Sequence, residues 1–322
     1  MLVVVCPGQG AQSPGMLAPW LELPAVAENL AHAAEVTGVD VVAHGTTSDA
    51  DTIRDTAVAQ PLLVASALAS LRAVLATDGP LSAPGGADVV AGHSVGELAA
   101  AAIAGVITED EALRLVAVRG GAMARAAAAT PTGMSAVLGG DADEVAAALE
   151  QHGLVGANVN GGGQVVAAGS LEALAAFAAA PPARARVVAL QVAGAFHTQY
   201  MEPAVAELRA AAADVAPGEP AVTLLTNSDG TAVADGSRAL ELIVAQVAHP
   251  VRWDLCQATM LELGVTGLLE LAPGGVLTGL ARRTLPGVET VAVKTPDDLE
   301  AARDLVGRHA GPRTPSTQEQ TS

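Results

Sequence analysis

The sequence predicts an α/β protein with a mainly parallel sheet and a smaller ferredoxin-like (βαββαβ) subdomain inserted in the larger one. Three observations predict this. Short β-branched runs, LVVVC (2–6) and ADVVAG (87–92), alternate with long apolar stretches of helical length, the order that lays helices over parallel strands. Residues 134–192 carry the element order of a ferredoxin-like unit. At 322 residues, 51% of them hydrophobic, the chain is long enough for one large domain with an insertion.

The elements follow in order. LVVVC reads as a buried strand, stopped by Pro7 and the Gly-rich PGQGAQ (7–12). ADVVAG is a second strand, and ELAAAAIAGVI (97–107) an almost wholly apolar, buried helix. EDEALRLVAVRGGAMARAAAA (109–129) is a helix with acids in its first turn, where the helix dipole favours them. MSAVLG (134–139) is a strand. DADEVAAALEQHG (141–153) is a helix, with Asp141 and Glu144 spaced as a capping box and Gly153 as its stop. LVGANVN (154–160) and GQVVAAG (163–169) form a strand pair, SLEALAAFAAA (170–180) a helix and ARVVALQV (185–192) the last strand of the insertion. The subdomain therefore spans 131–195, between large-domain segments 1–130 and 196–308. AVTLLTNSDG (221–230) is strand then turn, ALELIVAQVAHPVRW (239–253) a helix stopped by Pro250, and VTGLLELAPGGVLTGLARRTL (265–285) strand, turn and helix. The polar, Pro-containing 309–322 reads as a disordered tail.

Composition excludes several functions. The net charge is −18 and Lys294 is the only lysine, which argues against nucleic-acid binding. Two cysteines are too few for a disulfide framework, and no Cys/His cluster, H-E-x-x-H or Asp-rich loop implies a metal. The opening residues lack the basic region of a signal peptide, and no apolar run of membrane-spanning length is free of a charge or Gly/Pro break. The expectation is a soluble, cytoplasmic protein.

Gly92-His93-Ser94-Val95-Gly96 fits G-x-S-x-G, between a strand and a helix as that motif requires. On such an elbow Ser94 is a nucleophile beside a helix N-terminus that favours an anionic intermediate; the bland alternative is a serine capping a buried helix. A serine nucleophile needs a base. Of the seven histidines, His197, where the chain re-enters the large domain, leads on position, and spacing leaves the choice open. Arg119 has Leu115, Val116, Ala122 and Met123 at i−4, i−3, i+3 and i+4, so it points into the interior. An unpaired charge there is expensive. With no acid in helical reach it needs an anion from elsewhere, a structural carboxylate or one on a substrate, which a guanidinium holds in a bidentate fork. PGQGAQ lacks the P-loop Lys-Ser/Thr and the third dinucleotide glycine, and fits a loop offering N–H groups to an oxyanion equally well.

Eight blocks in order, PGQGAQ (7–12), AQPLLVASAL (59–68), GHSVGE (92–97), VAVRGGAM (116–123), ANVNGGGQVVAAG (157–169), GAFHT (194–198), QVAHPVRW (246–253) and ELAPGGVLTGL (270–280), resemble the malonyl-CoA:acyl-carrier-protein transacylases and the related acyltransferase domains of polyketide synthases. The resemblance implies a large α/β-hydrolase-like domain with a ferredoxin-like insertion. It implies Ser94 as the acylated nucleophile, His197 as general base, the amides of Gln9 and Val95 as oxyanion hole, and Arg119 on the malonyl carboxylate. Gln246 would orient the imidazole in place of a triad acid, and Gln60, Met123 and Asn158 would lie near the substrate. Phe196 and Val95 match malonyl-selective members, the ring leaving little room for a 2-methyl branch. The implied reaction is ping-pong, from malonyl-CoA to the phosphopantetheine thiol of an acyl carrier protein, by a monomer with no cofactor. A basic patch at Arg282 and Arg283 would dock the acidic carrier. The alternatives are a serine hydrolase with the order Ser94…Asp229…His249 and a non-catalytic carrier-binding scaffold.

Overall fold

In the computed structural model residues 1–79, 81 and 86–311 are described; the tail expected beyond 311 lies outside them. The strands are β1 (Leu2–Cys6), β2 (Val89–Gly92), β3 (Thr132–Gly139), β4 (Val155–Gly161), β5 (Gln164–Ser170), β6 (Ala185–Ala189), β7 (Thr223–Leu225), β8 (Ala232–Val233), β9 (Val251–Arg252), β10 (Gly267–Glu270) and β11 (Glu289–Ala292). The helices are α1 (Pro24–Thr37), α2 (Val41–Thr46), α3 (Thr56–Leu75), α4 (Gly96–Ile103), α5 (Glu109–Ala129), α6 (Ala142–Gln151), α7 (Leu171–Ala179), α8 (Glu202–Ala212), α9 (Gly236–Gln246), α10 (Trp253–Glu262), α11 (Val276–Thr284) and α12 (Leu299–His309).

The larger sheet has the order β11-β10-β1-β2-β7-β8 and is parallel except where β8 turns back on β7. Its central strand β1 is buried along its whole length, as a strand covered by helices on both faces must be. Alternation divides it between two cores: Leu2, Val4 and Cys6 face one, and Val3 and Val5 face another that holds Trp253, Cys256 and Leu280. The smaller sheet reads β6-β3-β5-β4, the ferredoxin-like order, with a fifth strand beyond it. That strand is β9, from the 196–308 segment, which pairs in parallel with β4 and brings Asn158 opposite Val251.

Most elements lie where expected, and the differences have local causes. α4 stops at Ile103 rather than 107, because Gly105 takes a positive φ of 81° and ends the helix. α5 has the expected bounds, with a complete capping box between Thr108 and Glu111. At α6 the Asp141 carboxylate accepts from the amides of Asp143 and Glu144, while among the described residues the return bond from Glu144 is absent. α9 ends at Gln246, four residues before the expected stop at Pro250, and residues 251–252 form the short strand β9. His309, expected in a disordered tail, closes α12, with Nδ1 2.9 Å from Thr266 Oγ1. α3 runs unbroken past Pro61, and its 18-residue apolar window is 78% buried, as in a core helix.

The parallel order brings the ends of β1 and β2 to one edge, the usual place for a site in an open α/β sheet. There the two motif glycines are required by close approach. A Cβ on Gly92 would lie 2.0 Å from the carbonyl carbon of Gly96, and one on Gly96 would lie 2.3 Å from the Cys6 carbonyl oxygen. Neither backbone atom can rotate away. Gly96→Ala should therefore cost about 3 kcal/mol or more in urea unfolding; a loss under about 0.5 kcal/mol, typical of a surface change, would show that the elbow is not closed in this way.

Candidate active site

Ser94 sits on the turn between β2 and α4 at φ 53°, a left-handed conformation that an L-residue adopts only when its surroundings enforce it. Its main-chain N–H donates to Asn227 Oδ1 at 2.8 Å, and Asn227 Nδ2 donates to the Gly92 carbonyl at 2.7 Å, so one side chain clamps both ends of the turn. His197 is also left-handed, at φ 60°, and is buried. Its Nε2 lies 2.7 Å from Ser94 Oγ and its Nδ1 2.8 Å from the carbonyl oxygen of Gln246. A carbonyl only accepts, so Nδ1 carries the hydrogen and Nε2 offers its lone pair to the serine hydroxyl. Burial, reinforced by the positive charge of Arg119, pushes the His197 pKa down to about 3, which keeps the imidazole neutral.

Gln246 thus meets the imidazole through its main-chain carbonyl. Its side chain faces Arg119. The guanidinium is 1% exposed; Nη1 donates to Gln60 Oε1 at 2.7 Å, and Nη2 to Gln246 Oε1 at 2.8 Å and to Ser94 Oγ at 3.3 Å. Among the described residues no carboxylate forms an ion pair with it. Burial lowers its pKa to about 10, so it remains a cation at neutral pH.

A third layer lies beneath. The Glu97 carboxylate, 3% exposed, accepts from the main-chain N–H of Asn227 at 2.6 Å and from Gln246 Nε2. Burial pushes its pKa up to about 7. Gln246 Nε2 also donates to the Ser94 carbonyl at 3.0 Å. Sequence reasoning missed Glu97 and Asn227. An acid opening an otherwise wholly apolar helix was the available signal for Glu97; Asn227 lies in a turn that carried none.

A cavity of about 590 Å³ opens beside Ser94 and His197, with Gln9, Gln60, Met123, Asn158 and Phe196 among its walls. Arg119 is not a wall; it lies behind Ser94 and Gln60. Val95 keeps only its main chain near the site, because its side chain is 1% exposed in the core and cannot shape the cavity, contrary to the selectivity expected of it. Among the described residues the N–H groups of Gln9 and Val95 have no hydrogen-bond acceptor, and the Gln9 side chain ties its loop to the Arg54 carbonyl at 3.3 Å. The alternative triad does not assemble: Asp229 Oδ1 accepts from Thr231, and the exposed His249 bonds to the carbonyl of Ala245, 2.8 Å away. His93 turns away from Ser94 towards Asn160, 2.9 Å from its Oδ1. The described residues hold no group of three His, Cys, Asp or Glu side chains placed to bind a metal.

The chain is similar to known proteins in both sequence and fold. Residues 3–299 match the family model described as "Acyl transferase domain". The malonyl CoA-acyl carrier protein transacylase of Mycobacterium tuberculosis H37Rv is 51% identical over 311 residues, covering 95% of this chain and all of the relative. A crystal structure of MCAT from Mycobacterium tuberculosis superposes with a TM-score of 0.89 at 51% identity, over 94% of this chain and 99% of that one. A structure of a type II PKS acyl-carrier protein in complex with its malonyl-transacylase matches with a TM-score of 0.84 at 32% identity, over 94% and 99% of the two chains.

The depressed His197 pKa makes a direct prediction. Its imidazole NMR signals should show no titration between pH 5 and 8, because the protonated form is populated only near pH 3. An ordinary histidine would be about nine-tenths protonated at pH 5.5. A midpoint near 6.5 would show that Arg119 and burial do not hold the ring neutral.

Proposed function

This chain belongs to the acyl transferase family, within its malonyl CoA-acyl carrier protein transacylases, and on that premise we propose that it carries malonyl from malonyl-CoA, through an ester on Ser94, to the phosphopantetheine thiol of an acyl carrier protein. The product would be an extender unit for fatty-acid or polyketide synthesis. The observation that carries the reading is Arg119: a buried cation 3.3 Å from Ser94 Oγ, held by two neutral amides.

In the first half-reaction His197 Nε2 takes the Ser94 proton as Oγ attacks the thioester carbonyl. The N–H groups of Gln9 and Val95 receive the oxyanion, beside the N-terminus of α4. Collapse breaks the C–S bond, and the CoA thiolate leaves with the proton from His197. In the second half the carrier's thiol gives its proton to His197 and attacks the ester; Ser94 leaves and recovers that proton. Throughout, Arg119 holds the free carboxylate, which replaces a glutamine oxygen as its acceptor. The exchange sets an opposite charge against the guanidinium in a bidentate geometry that a single amide oxygen does not offer, which favours a carboxylated acyl group.

Phe196, a cavity wall only 6% exposed, leaves little space for a branch at C2 and supports malonyl over methylmalonyl. Arg283 stands at the cavity wall beside exposed Arg282, and neither pairs with an acid among the described residues. This local basic pair supports docking of an acidic carrier on a chain whose net charge is −18. The reading carries with it a cytoplasmic monomer that uses no cofactor.

The test is intact mass after incubation with malonyl-CoA, with and without holo carrier protein. One malonyl should appear, move to the carrier, and be absent from Ser94→Ala; release to water alone, with no transfer, would make the protein a hydrolase. Arg119→Ala should lower malonyl loading about 100-fold more than acetyl loading, the scale for removing a buried charged partner. Equal losses would make Arg119 structural.

A further inference from the structure

The donor and acceptor pattern around Gln246 admits one orientation of its amide. Nε2 faces only acceptors: the Glu97 carboxylate, the Ser94 carbonyl at 3.0 Å and Asn227 Oδ1 at 3.2 Å. Oε1 faces a donor, Arg119 Nη2, at 2.8 Å. Reversing the amide would set its NH2 against the guanidinium and its oxygen against three acceptors. Of those three, Glu97 is the only titratable group, and it is fixed on its other side by the main-chain N–H of Asn227 at 2.6 Å. Glu97 is buried, is not among the cavity walls, and has its two carboxylate oxygens taken up by the Asn227 main-chain N–H and Gln246 Nε2.

We propose that Glu97 is a positioning residue for acyl-group selectivity: by fixing the Gln246 amide it aims the Arg119 guanidinium, and so sets the preference for a carboxylated acyl group from a place the substrate never reaches. The inference rests on the malonyl-transfer reading and deepens it. Glu97→Gln keeps the shape and exchanges one acceptor for a donor. The Asn227 main-chain N–H cannot turn, so the new amide keeps its oxygen there and presents NH2 to Gln246. Two NH2 groups then confront each other, and because the Ser94 carbonyl and Asn227 Oδ1 still oppose a half-turn, the Gln246 side chain shifts to relieve the clash and draws Oε1 away from Arg119 Nη2. The guanidinium is left with Gln60 and swings from its place beside Ser94.

The experiment measures single-turnover loading of Ser94 from malonyl-CoA and from acetyl-CoA by intact mass, with thermal unfolding as the check on folding. Glu97→Gln should lower the malonyl-to-acetyl ratio of kcat/KM about tenfold, because acetyl has no carboxylate for Arg119 to hold. Gln246→Leu, which has no amide to orient, should lower the ratio similarly, and adding Glu97→Gln to it should lower the ratio no further. A merely structural role for Glu97 would slow both substrates together; an unchanged ratio in Glu97→Gln overturns the inference. If that variant does not fold, Gln246→Leu decides, and an unchanged ratio there overturns it equally. Failure of the function reading is a different result: the wild type would load no malonyl at all, and the inference would fall with it.

Discussion

The site is organised around a buried guanidinium held by amide oxygens and no carboxylate. Burying Arg119 removes it from water, and its charge persists because Gln60 from α3, Gln246 at the end of α9 and the elbow serine all turn oxygens towards it. Three segments far apart in sequence must therefore converge, and α3, α4, α5 and α9 are packed to make them do so. A buried carboxylate in direct contact would satisfy the charge better and leave nothing for a substrate to gain. The nearest acid, Glu97, is one amide removed. Gln246 carries the hydrogen bonds between them, and the Glu97 charge supports the guanidinium through space.

The same arrangement tunes the dyad. Arg119 donates towards Ser94 Oγ and helps hold His197 neutral, so one cation acts on both nucleophile and base. Both Ser94 and His197 occupy left-handed backbone, at a cost of about 1–2 kcal/mol each. The strain is sustained by contacts that leave little choice: the Asn227 clamp on the turn, the glycine approaches at Gly92 and Gly96, and the Gln246 carbonyl on the imidazole.

Much of this was legible in the chain because local pattern carried it. The strand-elbow-helix context of Ser94 rests on neighbouring residues, and the interior position of Arg119 follows from four apolar neighbours on one helix. The βαββαβ order of the small sheet was readable for the same reason. What escaped was long-range. Glu97 and Asn227 are partners across 130 positions, and their roles exist only once the elbow and the turn after β7 meet. β9 takes its extended form from pairing with β4, so no local pattern announced it. Gln246 acts on His197 through a main-chain carbonyl, which no side-chain motif can announce.

The most direct measurement is a crystal structure of the protein after acylation by malonyl-CoA. The account predicts a malonyl ester on Ser94, its carboxylate oxygens about 2.7–2.9 Å from the Arg119 guanidinium nitrogens in a bidentate fork, in place of a Gln60 or Gln246 oxygen. A malonyl carboxylate turned to solvent, with Arg119 still bonded to both glutamines, would contradict it.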